Sequence, residues 1–436
     1  MTGTEKGPAA SVLLRTLLLF AACVLLFEAG MVAVAPRLHS SSVLKLAKSA
    51  AMVRMVFDDT SYYMAQGDLA ARHSRQSLYQ TVFFQHQVRF IYPPTALLFY
   101  RAWQQTARFG LQPMHAMNIT LWLALWATFG LAGEFLLALA QKQAQQPWST
   151  RGRWLLRVLV ALLGLVFLPL VNAYCLGQMQ TLLNLAMIAS VLLWLRGQRT
   201  WPGVLLGLTC LIKPQMALFL LWGVLRRQWG FVVSLAAMLL AGGSLSIAVF
   251  GWRNSVEYLA VLRYLGRHGD ALATNQSLNG LLHRLLHVGN FVTAAYGYPP
   301  YDAHIYWLTI CGSAALLLAA LVVPYRQGVA GSTLDLLLFA MAATMASPIA
   351  WEHHYGVFFL VFLAWMPRAS ENWTAFALLL GAYLLMTDTW APLSYLMFTR
   401  WTFLLSHVFF GGLLLFLGTL RWGSGSLPPT MTQGQE

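Results

Sequence analysis

The chain has 436 residues, of which 58% are hydrophobic and only 10% charged, and its formal net charge is +14. Soluble domains carry about 25% charged residues, so this composition excludes a soluble globular protein and defines a membrane protein. A basic balance also suits nucleic acid, but here the cations are scattered over loops between apolar segments, where membrane orientation and contact with anionic lipid account for them.

The first apolar run, Ser11 to Ala35, is expected to cross as residues 12–35 after a cytoplasmic N-terminus of residues 1–11. Ala33-Val34-Ala35 resembles a cleavage site, but the run exceeds the roughly 7–15 apolar residues of a signal peptide, and Pro36 would hinder a peptidase, so the span is read as retained. A loop over 36–91 follows, carrying Asp58-Asp59-Thr60-Ser61-Tyr62-Tyr63-Met64. With only 14 acidic residues in the chain, two adjacent carboxylates just beyond a span stand out. Tyr62, Tyr63 and Met64 predict an amphipathic helix at the membrane interface. Residues 92–109 begin Tyr92-Pro93-Pro94 and include Arg101, Gln104, Gln105 and Arg108. A short or partial helix is expected there, because a full crossing would reverse every later loop.

Further spans are expected near 115–141, 154–172, 178–196, 229–250, 303–325, 332–350, 354–368, 372–388 and 400–420, in a chain whose apolar stretches recur at about the length that crosses a ~30 Å hydrocarbon core. Residues 201–225 have basic flanks at both ends, and Leu211-Ile212-Lys213-Pro214 breaks them in the middle. Two short helices that enter and return are predicted, with Lys213 near the tip. Irregular backbone at that depth is tolerated only where it is buried in protein or lines a wet cavity. A second polar loop covers 251–302, and residues 421–436 form a cytoplasmic tail. Residues 12–420 thus make one all-α polytopic domain of about 10–12 transmembrane helices. Cys23, Cys175, Cys210 and Cys311 have the spacing of neither a zinc site nor a disulfide framework and read as packing residues.

Arg and Lys in short loops mark the cytoplasmic side, here Lys142–Arg157, Arg196–Arg199, Arg226-Arg227, Tyr325-Arg326 and Arg368. The loop after the first span, the Asn172–Gln178 turn, the Lys213 tip, the 251–302 loop and Trp351-Glu352-His353-His354 then share the opposite side. Charged and hydrogen-bonding groups at membrane depth are costly and usually functional. Five sequence-distant polar elements on one face predict a single site.

Each element also has a plain structural reading. Asp58 and Asp59 fit a solvated turn after a helix end, and nothing in their spacing alone marks catalysis. Lys213, the only lysine after Lys142, could snorkel, but snorkelling serves helix ends, whereas a buried point charge at a break suits a phosphate. His353 and His354 diverge by about 100° on a helix, so one histidine aimed at an anion is favoured over a shared metal. Asn275-Gln276-Ser277-Leu278 could belong to any amphipathic surface helix, and Asn172 with Gly177-Gln178 to any polar turn.

Taken in order, Asp-x-x-x-Tyr-Tyr at 58–63, Tyr-Pro-Pro at 92–94, Gly-Gln at 177–178, Leu-x-Lys-Pro at 211–214, Asn-Gln-Ser-Leu at 275–278 and Ser-Pro-x-x-Trp-Glu-His-His at 347–354 resemble the bacterial polyprenyl-phosphate-mannose-dependent mannosyltransferase family of the glycosyltransferase-C superfamily. The resemblance covers roughly residues 12–420. It implies a glycosyltransferase-C-like polytopic fold with an active site on the periplasmic face of the plasma membrane, a polyprenyl-phosphate sugar donor, and a lipid or glycan acceptor. By the resemblance Asp58 is the catalytic base, and Asp59 stands where the family has an aromatic or aliphatic residue, making it a possible second carboxylate. Lys213, His353 and His354, with Arg89 or Arg284, would stabilise the leaving phosphate. Tyr62, Tyr92, Gln178, Asn275, Gln276 and Glu352 are candidates for holding sugar and acceptor. No cofactor is implied; a divalent metal at the Asp pair is conceivable but not indicated, and no Gly-rich nucleotide loop is present.

Two other classes fit a multi-span protein. A lipid-linked glycan polymerase or ligase would carry its main basic loop late in the chain, and the carboxylate loop after the first span argues against it. A lipid-linked sugar transporter would show paired repeats with broken helices in both halves, and this chain has one broken segment.

Overall fold

The computed structural model describes residues 8–34, 42–72, 77–143, 148–287 and 297–422 of the chain. Most of the expected cytoplasmic N-terminus and tail, residues 36–41 and 73–76 of the first polar loop, and residues 288–296 of the second lie outside the described residues.

The described chain is helical: α1 (Pro8–Val34), α2 (Val43–Ala51), α3 (Asp59–Arg72), α4 (Ala96–Gln105), α5 (Pro113–Gln143), α6 (Thr150–Leu165), α7 (Leu168–Cys175), α8 (Gln180–Leu195), α9 (Thr200–Cys210), α10 (Leu218–Leu225), α11 (Trp229–His268), α12 (Leu278–Leu286), α13 (Ala303–Arg326), α14 (Thr333–Met345), α15 (Phe358–Ala369), α16 (Trp373–Thr387) and α17 (His407–Trp422). Polar side chains start several of them by accepting from the first free N–H groups, as Ser149 does for α6, Ser277 for α12, Ser332 for α14 and Asn372 for α16. Five stretches are long and apolar enough to cross a bilayer unaided: 10–34, α5, α11, α13 and 402–421. A sixth forms if α6 and α7, bent by 66°, count as one. The break between them falls at Phe167, with Pro169 in the first turn of α7. Several other expected spans, α8, α14 and α16 among them, are shorter apolar helices of 13–16 residues, rising about 20–24 Å at 1.5 Å per residue. The protein is a multi-pass, all-α membrane protein.

The broken segment is built as two helices that return to one end. Arg199 Nε, just before α9, donates to Gln228 Oε1, just after α10, at 3.1 Å, which ties both feet of the hairpin together. α9 presses against α11 through Gly203 and Gly207. A Cβ at Gly203 would strike Ser234 and Phe231 of α11, and one at Gly207 would strike Met238. This small-xxx-small spacing lets two backbones approach closely. Residues 92–109 are not a crossing: α4 spans ten residues and ends in a 3-10 turn at Thr106–Phe109. α3 does form, but it is docked by ion pairs as well as by apolar packing, because its buried Asp68 meets Arg101 of α4 at 2.6 Å and Arg72 at 2.7 Å.

One expectation needs correction. The polar loop expected from 251 is helical to His268, because α11 continues for 40 residues through a kink at Gly251, where φ is +81°. Polar groups on the second half, such as Arg253 and Glu257 paired at 2.8 Å, make it read as a loop in sequence.

The short basic loops gather at one end of the bundle. Lys142 Nζ donates to the Leu195 carbonyl at 3.4 Å, and Trp194 Nε1 to the Gly331 carbonyl at 3.1 Å. Arg226 is not a free loop cation: it is buried and holds Asp335 with 2.5 and 2.9 Å bonds, joining the end of α10 to the start of α14. Removing one member of such a pair leaves a buried charge uncompensated, at about 3–5 kcal/mol. Arg226→Met should therefore lower the thermal midpoint in detergent sharply, and Arg226→Met with Asp335→Leu should restore most of it. Equal losses in both variants would contradict this account.

Candidate active site

At the other end of the bundle the chain entering α3 lies along the turn that follows α7. The Val56 and Phe57 N–H groups donate to the Cys175 carbonyl at 2.8 and 2.9 Å, and the Asp59 N–H to the Leu176 carbonyl at 3.1 Å. These bonds point the two aspartates in different directions. Asp58 caps α3: its Oδ1 accepts from the Ser61 N–H at 2.9 Å, the N-cap to N3 bond that satisfies a free helix donor. Its side chain is half-buried. Asp59 turns toward the bundle, where Gln178 Nε2 donates to its Oδ2 at 3.4 Å and the Tyr92 hydroxyl donates to Gln178 Oε1 at 3.0 Å. Burial raises the Asp59 carboxyl above its ordinary range; the Gln178 bond opposes this and the Asp58 charge adds to it.

Tyr92 passes this network to a cavity of about 670 Å³. Its walls are apolar, from Ile91, Leu218, Leu221, Leu262 and Leu265, and its polar members include Tyr92, Lys213, Trp351 and His354. Lys213 sits at the break between α9 and the 3-10 turn Pro214–Ala217, with extended backbone. Its Nζ donates to Gln180 Oε1 at 2.7 Å and contacts His354 Nε2. Among the described residues no carboxylate lies within ion-pair distance of it. An amine at membrane depth without a counter-ion is costly to keep charged, and an anion beside it would supply the missing partner.

His354 is held there by a clasp of buried polar groups. Asn275 Nδ2 donates to the Asp270 and Pro348 carbonyls at 2.6 and 3.2 Å, and its Oδ1 accepts from the Ala350 N–H at 2.9 Å. The Gln276 N–H reaches the Ala350 carbonyl at 2.7 Å and the Glu352 N–H the Thr274 carbonyl at 3.1 Å, a two-residue antiparallel bridge. Gln276 Nε2 donates to Ala273 and Leu405 carbonyls, both at 2.8 Å, and its Oε1 accepts from Val408 and Phe409 at the start of α17. Arg284 is 1% exposed and donates to the Leu272 and Asn275 carbonyls and to Ser406 Oγ at 2.6, 2.8 and 2.7 Å. Glu352 accepts from Asn172 Nδ2 at 3.4 Å.

The expected site residues therefore divide. Tyr92, Lys213 and His354 line the cavity, and Gln178 and Asp59 extend from it. Asn275, Gln276 and Arg284 were expected to touch donor or acceptor; the structure instead commits them to the clasp, because buried amide and guanidinium groups must find partners. Of the two histidines His354 reaches Lys213, while His353 is buried behind it with its ring 4.8 Å away and Nε2 without a partner among the described residues. Arg89 is tied to Asp270 at 3.2 Å and to the Gly297 carbonyl at 3.2 Å and lies over the Tyr298 ring. Tyr62 is 56% exposed and packs on Tyr63. Gln180 was missed; its position two residues after Gln178, at the start of an apolar helix, is the available signal. Among the described residues no group of three or more His, Cys, Asp or Glu side chains converges to hold a metal.

Fold and site together define a multi-pass helical membrane protein whose polar centre closes the end of an apolar cavity. Residues 90–348 match the family described as Glycosyltransferase family 87, and the chain belongs to that family. The matched stretch contains Tyr92, Gln178, Lys213, Asn275 and Gln276, but neither the Asp58-Asp59 pair nor His354. The chain is similar, at 29% identity over 264 residues, to the polyprenol-phosphate-mannose-dependent alpha-(1-2)-phosphatidylinositol mannoside mannosyltransferase of Mycolicibacterium smegmatis, covering 58% of this chain and 56% of that relative. The protein of the same name from Mycobacterium tuberculosis is 29% identical over 323 residues, 70% of this chain and 69% of its own. The chain thus spans just over half the length of the first of these relatives.

The division between clasp and cavity is measurable. Asn275→Ala strands the Ala350 N–H and the Asp270 carbonyl, at about 1–3 kcal/mol for a buried group left unsatisfied, and should lower the thermal midpoint. Lys213→Met removes a buried cation and should hold or raise the midpoint while abolishing anion binding. A destabilised Lys213→Met with an unchanged Asn275→Ala would reverse the assignment.

Proposed function

We propose that the protein is a membrane glycosyltransferase that moves a hexose from a polyprenyl-phosphate donor to a hydroxyl of a lipid or glycan acceptor. The relatives' names carry polyprenol-phosphate-mannose dependence and a phosphatidylinositol mannoside acceptor, which makes mannose the sugar and a glycolipid the acceptor of first choice here. The observation that carries the reading is Lys213, a buried amine with no carboxylate partner among the described residues, at the polar end of an apolar cavity of about 670 Å³. An isoprenoid chain suits the walls, and its phosphate suits the lysine.

In this reading the acceptor hydroxyl gives its proton to Asp58 as its oxygen attacks the anomeric carbon. The new C–O bond forms on one face while the bond to the phosphate oxygen breaks on the other, so the anomeric configuration inverts. Polyprenyl phosphate departs with the electron pair, and Lys213 with His354 stabilises its charge in a site of low dielectric. Capping by the Ser61 N–H fixes Asp58 Oδ1 and leaves Oδ2 free to take the proton. Asp59, through Gln178 and Tyr92, orders the wall between the base and the donor cavity. Because the short basic loops occupy the opposite end of the bundle, the positive-inside bias supports a site facing the outer side of the plasma membrane.

Purified protein in nanodiscs, given radiolabelled polyprenyl-phosphate mannose and phosphatidylinositol mannosides, should transfer sugar. Asp58→Asn should lower the rate by about 10²–10⁴-fold, the range of a lost general base. Equal transfer by wild type and Asp58→Asn would sink the assignment, and loss confined to Asp59→Asn would move the base by one residue.

A pH profile tests the wall. The Gln178 bond holds the Asp59 carboxyl down against burial and the Asp58 charge. Gln178→Leu removes it, so Asp59 takes up its proton at higher pH than before, and the acid limb of the transfer rate should move upward. A limb that moves downward would show that the ionised form of Asp59 is not the productive one.

A further inference from the structure

A second, smaller hollow lies on the other side of the Asp58 cap, between the start of α3, α4 and the start of α5. It holds about 280 Å³ and is lined by Ser61, Tyr100, Trp103, Gln104, Gln112 and Met114, with Pro113 and Met117 behind. Ser61 is the residue whose N–H holds Asp58 Oδ1, so the proposed base borders this hollow through one lining residue. The rest of its chemistry is distinctive. Trp103 and Tyr100 offer aromatic faces, and among the described residues the side-chain amides of Gln104 and Gln112 make no hydrogen bond within the protein. Ring faces that meet C–H surfaces, beside amides that can donate and accept, suit a sugar ring. A volume equal to about nine waters at ~30 Å³ each suits one ring rather than an extended glycan.

The hollow also opens beside exposed apolar chain. α4 ends in the 3-10 turn Thr106–Phe109 and is stopped by Gly110 at φ +75°, which turns the chain into Gln112. Phe109, at 87%, is the most exposed large apolar side chain among the described residues, and Leu111 is 40% exposed. Apolar side chains standing out beside a hollow that carries free amides mark a membrane-contact edge, the approach a lipid-anchored sugar would use.

We propose that this hollow is the acceptor subsite, binding the terminal sugar of a membrane glycolipid against Trp103, with Gln104 and Gln112 on its hydroxyls and the attacking hydroxyl turned toward Asp58. The inference rests on the glycosyltransferase reading for its direction of transfer, but the sugar site itself can be tested apart from activity. Donor and acceptor then approach the aspartate pair from two sides, the donor by way of Tyr92 and Gln178 and the acceptor by way of Ser61.

The experiment uses the full chain in nanodiscs with two readouts. Steady-state transfer is measured while phosphatidylinositol mannoside and polyprenyl-phosphate mannose are varied separately, and binding of an alkyl mannoside is followed by its shift of the thermal midpoint without donor. Trp103→Ala and the pair Gln104→Leu/Gln112→Leu should raise the acceptor KM about tenfold or more, leave the donor KM within about twofold, and lose the mannoside shift. Trp103→Phe, which keeps an aromatic face, should retain most of both and guards against a mere folding defect. An unchanged acceptor KM in the Ala and Leu variants overturns the proposal, as does a matching rise in donor KM. If the wild type transfers no sugar yet its mannoside shift is lost in Trp103→Ala, the enzyme reading fails and the sugar site stands.

Discussion

A guanidinium with no carboxylate partner among the described residues organises the end of the bundle that holds the cavity. Arg284 is buried where water cannot reach it, and its donors go to two backbone carbonyls of the 272–275 turn and to Ser406. That turn has no regular secondary structure of its own to satisfy its polar backbone. Folding it around a cation supplies the missing donors, and Asn275 and Gln276 then extend the same satisfaction to 348–350 and to the start of α17. Buried polar networks are stabilising only when every member finds a partner. The location of His354 follows from this network: the segment that carries it is held by the bridge from Thr274 and Gln276.

Hydrogen-bond capacity separates the groups that hold the fold from those free to meet a substrate. Arg284, Asn275 and Gln276 have their donors engaged by protein. Among the described residues Lys213 contacts the polar groups of Gln180 and His354 and meets no carboxylate. Asp58 uses one oxygen for capping. A sequence contains no direct record of this difference, since a buried arginine and a buried lysine near amide-rich loops look equally functional.

That is also where reading the sequence succeeded and failed. Composition made the membrane fold evident, and the alternation of short basic loops with apolar runs anticipated the two polar ends of the bundle. The Lys213-Pro214 break was legible because proline and a lone lysine cannot continue a buried apolar helix without cause. The structural partners of Asn275, Gln276 and Arg284 were not legible because they lie up to 133 residues away, which no local pattern encodes. The choice between His353 and His354 turned on the phase of a 3-10 turn, and the length of α11 on one glycine dihedral. Gly203 and Gly207 did carry a readable signal, the spacing of a close helix contact, which lay unexploited within a run dominated by leucine.

The kink at Gly251 has a consequence for what the cavity can accept. No atom stands within 4 Å of where its Cβ would be, so packing does not impose the bend; the backbone angle does. Beyond it, Tyr258, Leu262 and Leu265 form part of the cavity wall. The same half of the helix is tied to the first polar loop, where Tyr258 donates to the Ile91 carbonyl at 3.2 Å and Asn254 accepts from the Leu78 N–H at 3.0 Å, and its end meets α12, where His283 Nε2 lies 3.1 Å from the His268 carbonyl. A change of angle at Gly251 would therefore be passed both to the cavity wall and to the segment that leads into Arg284.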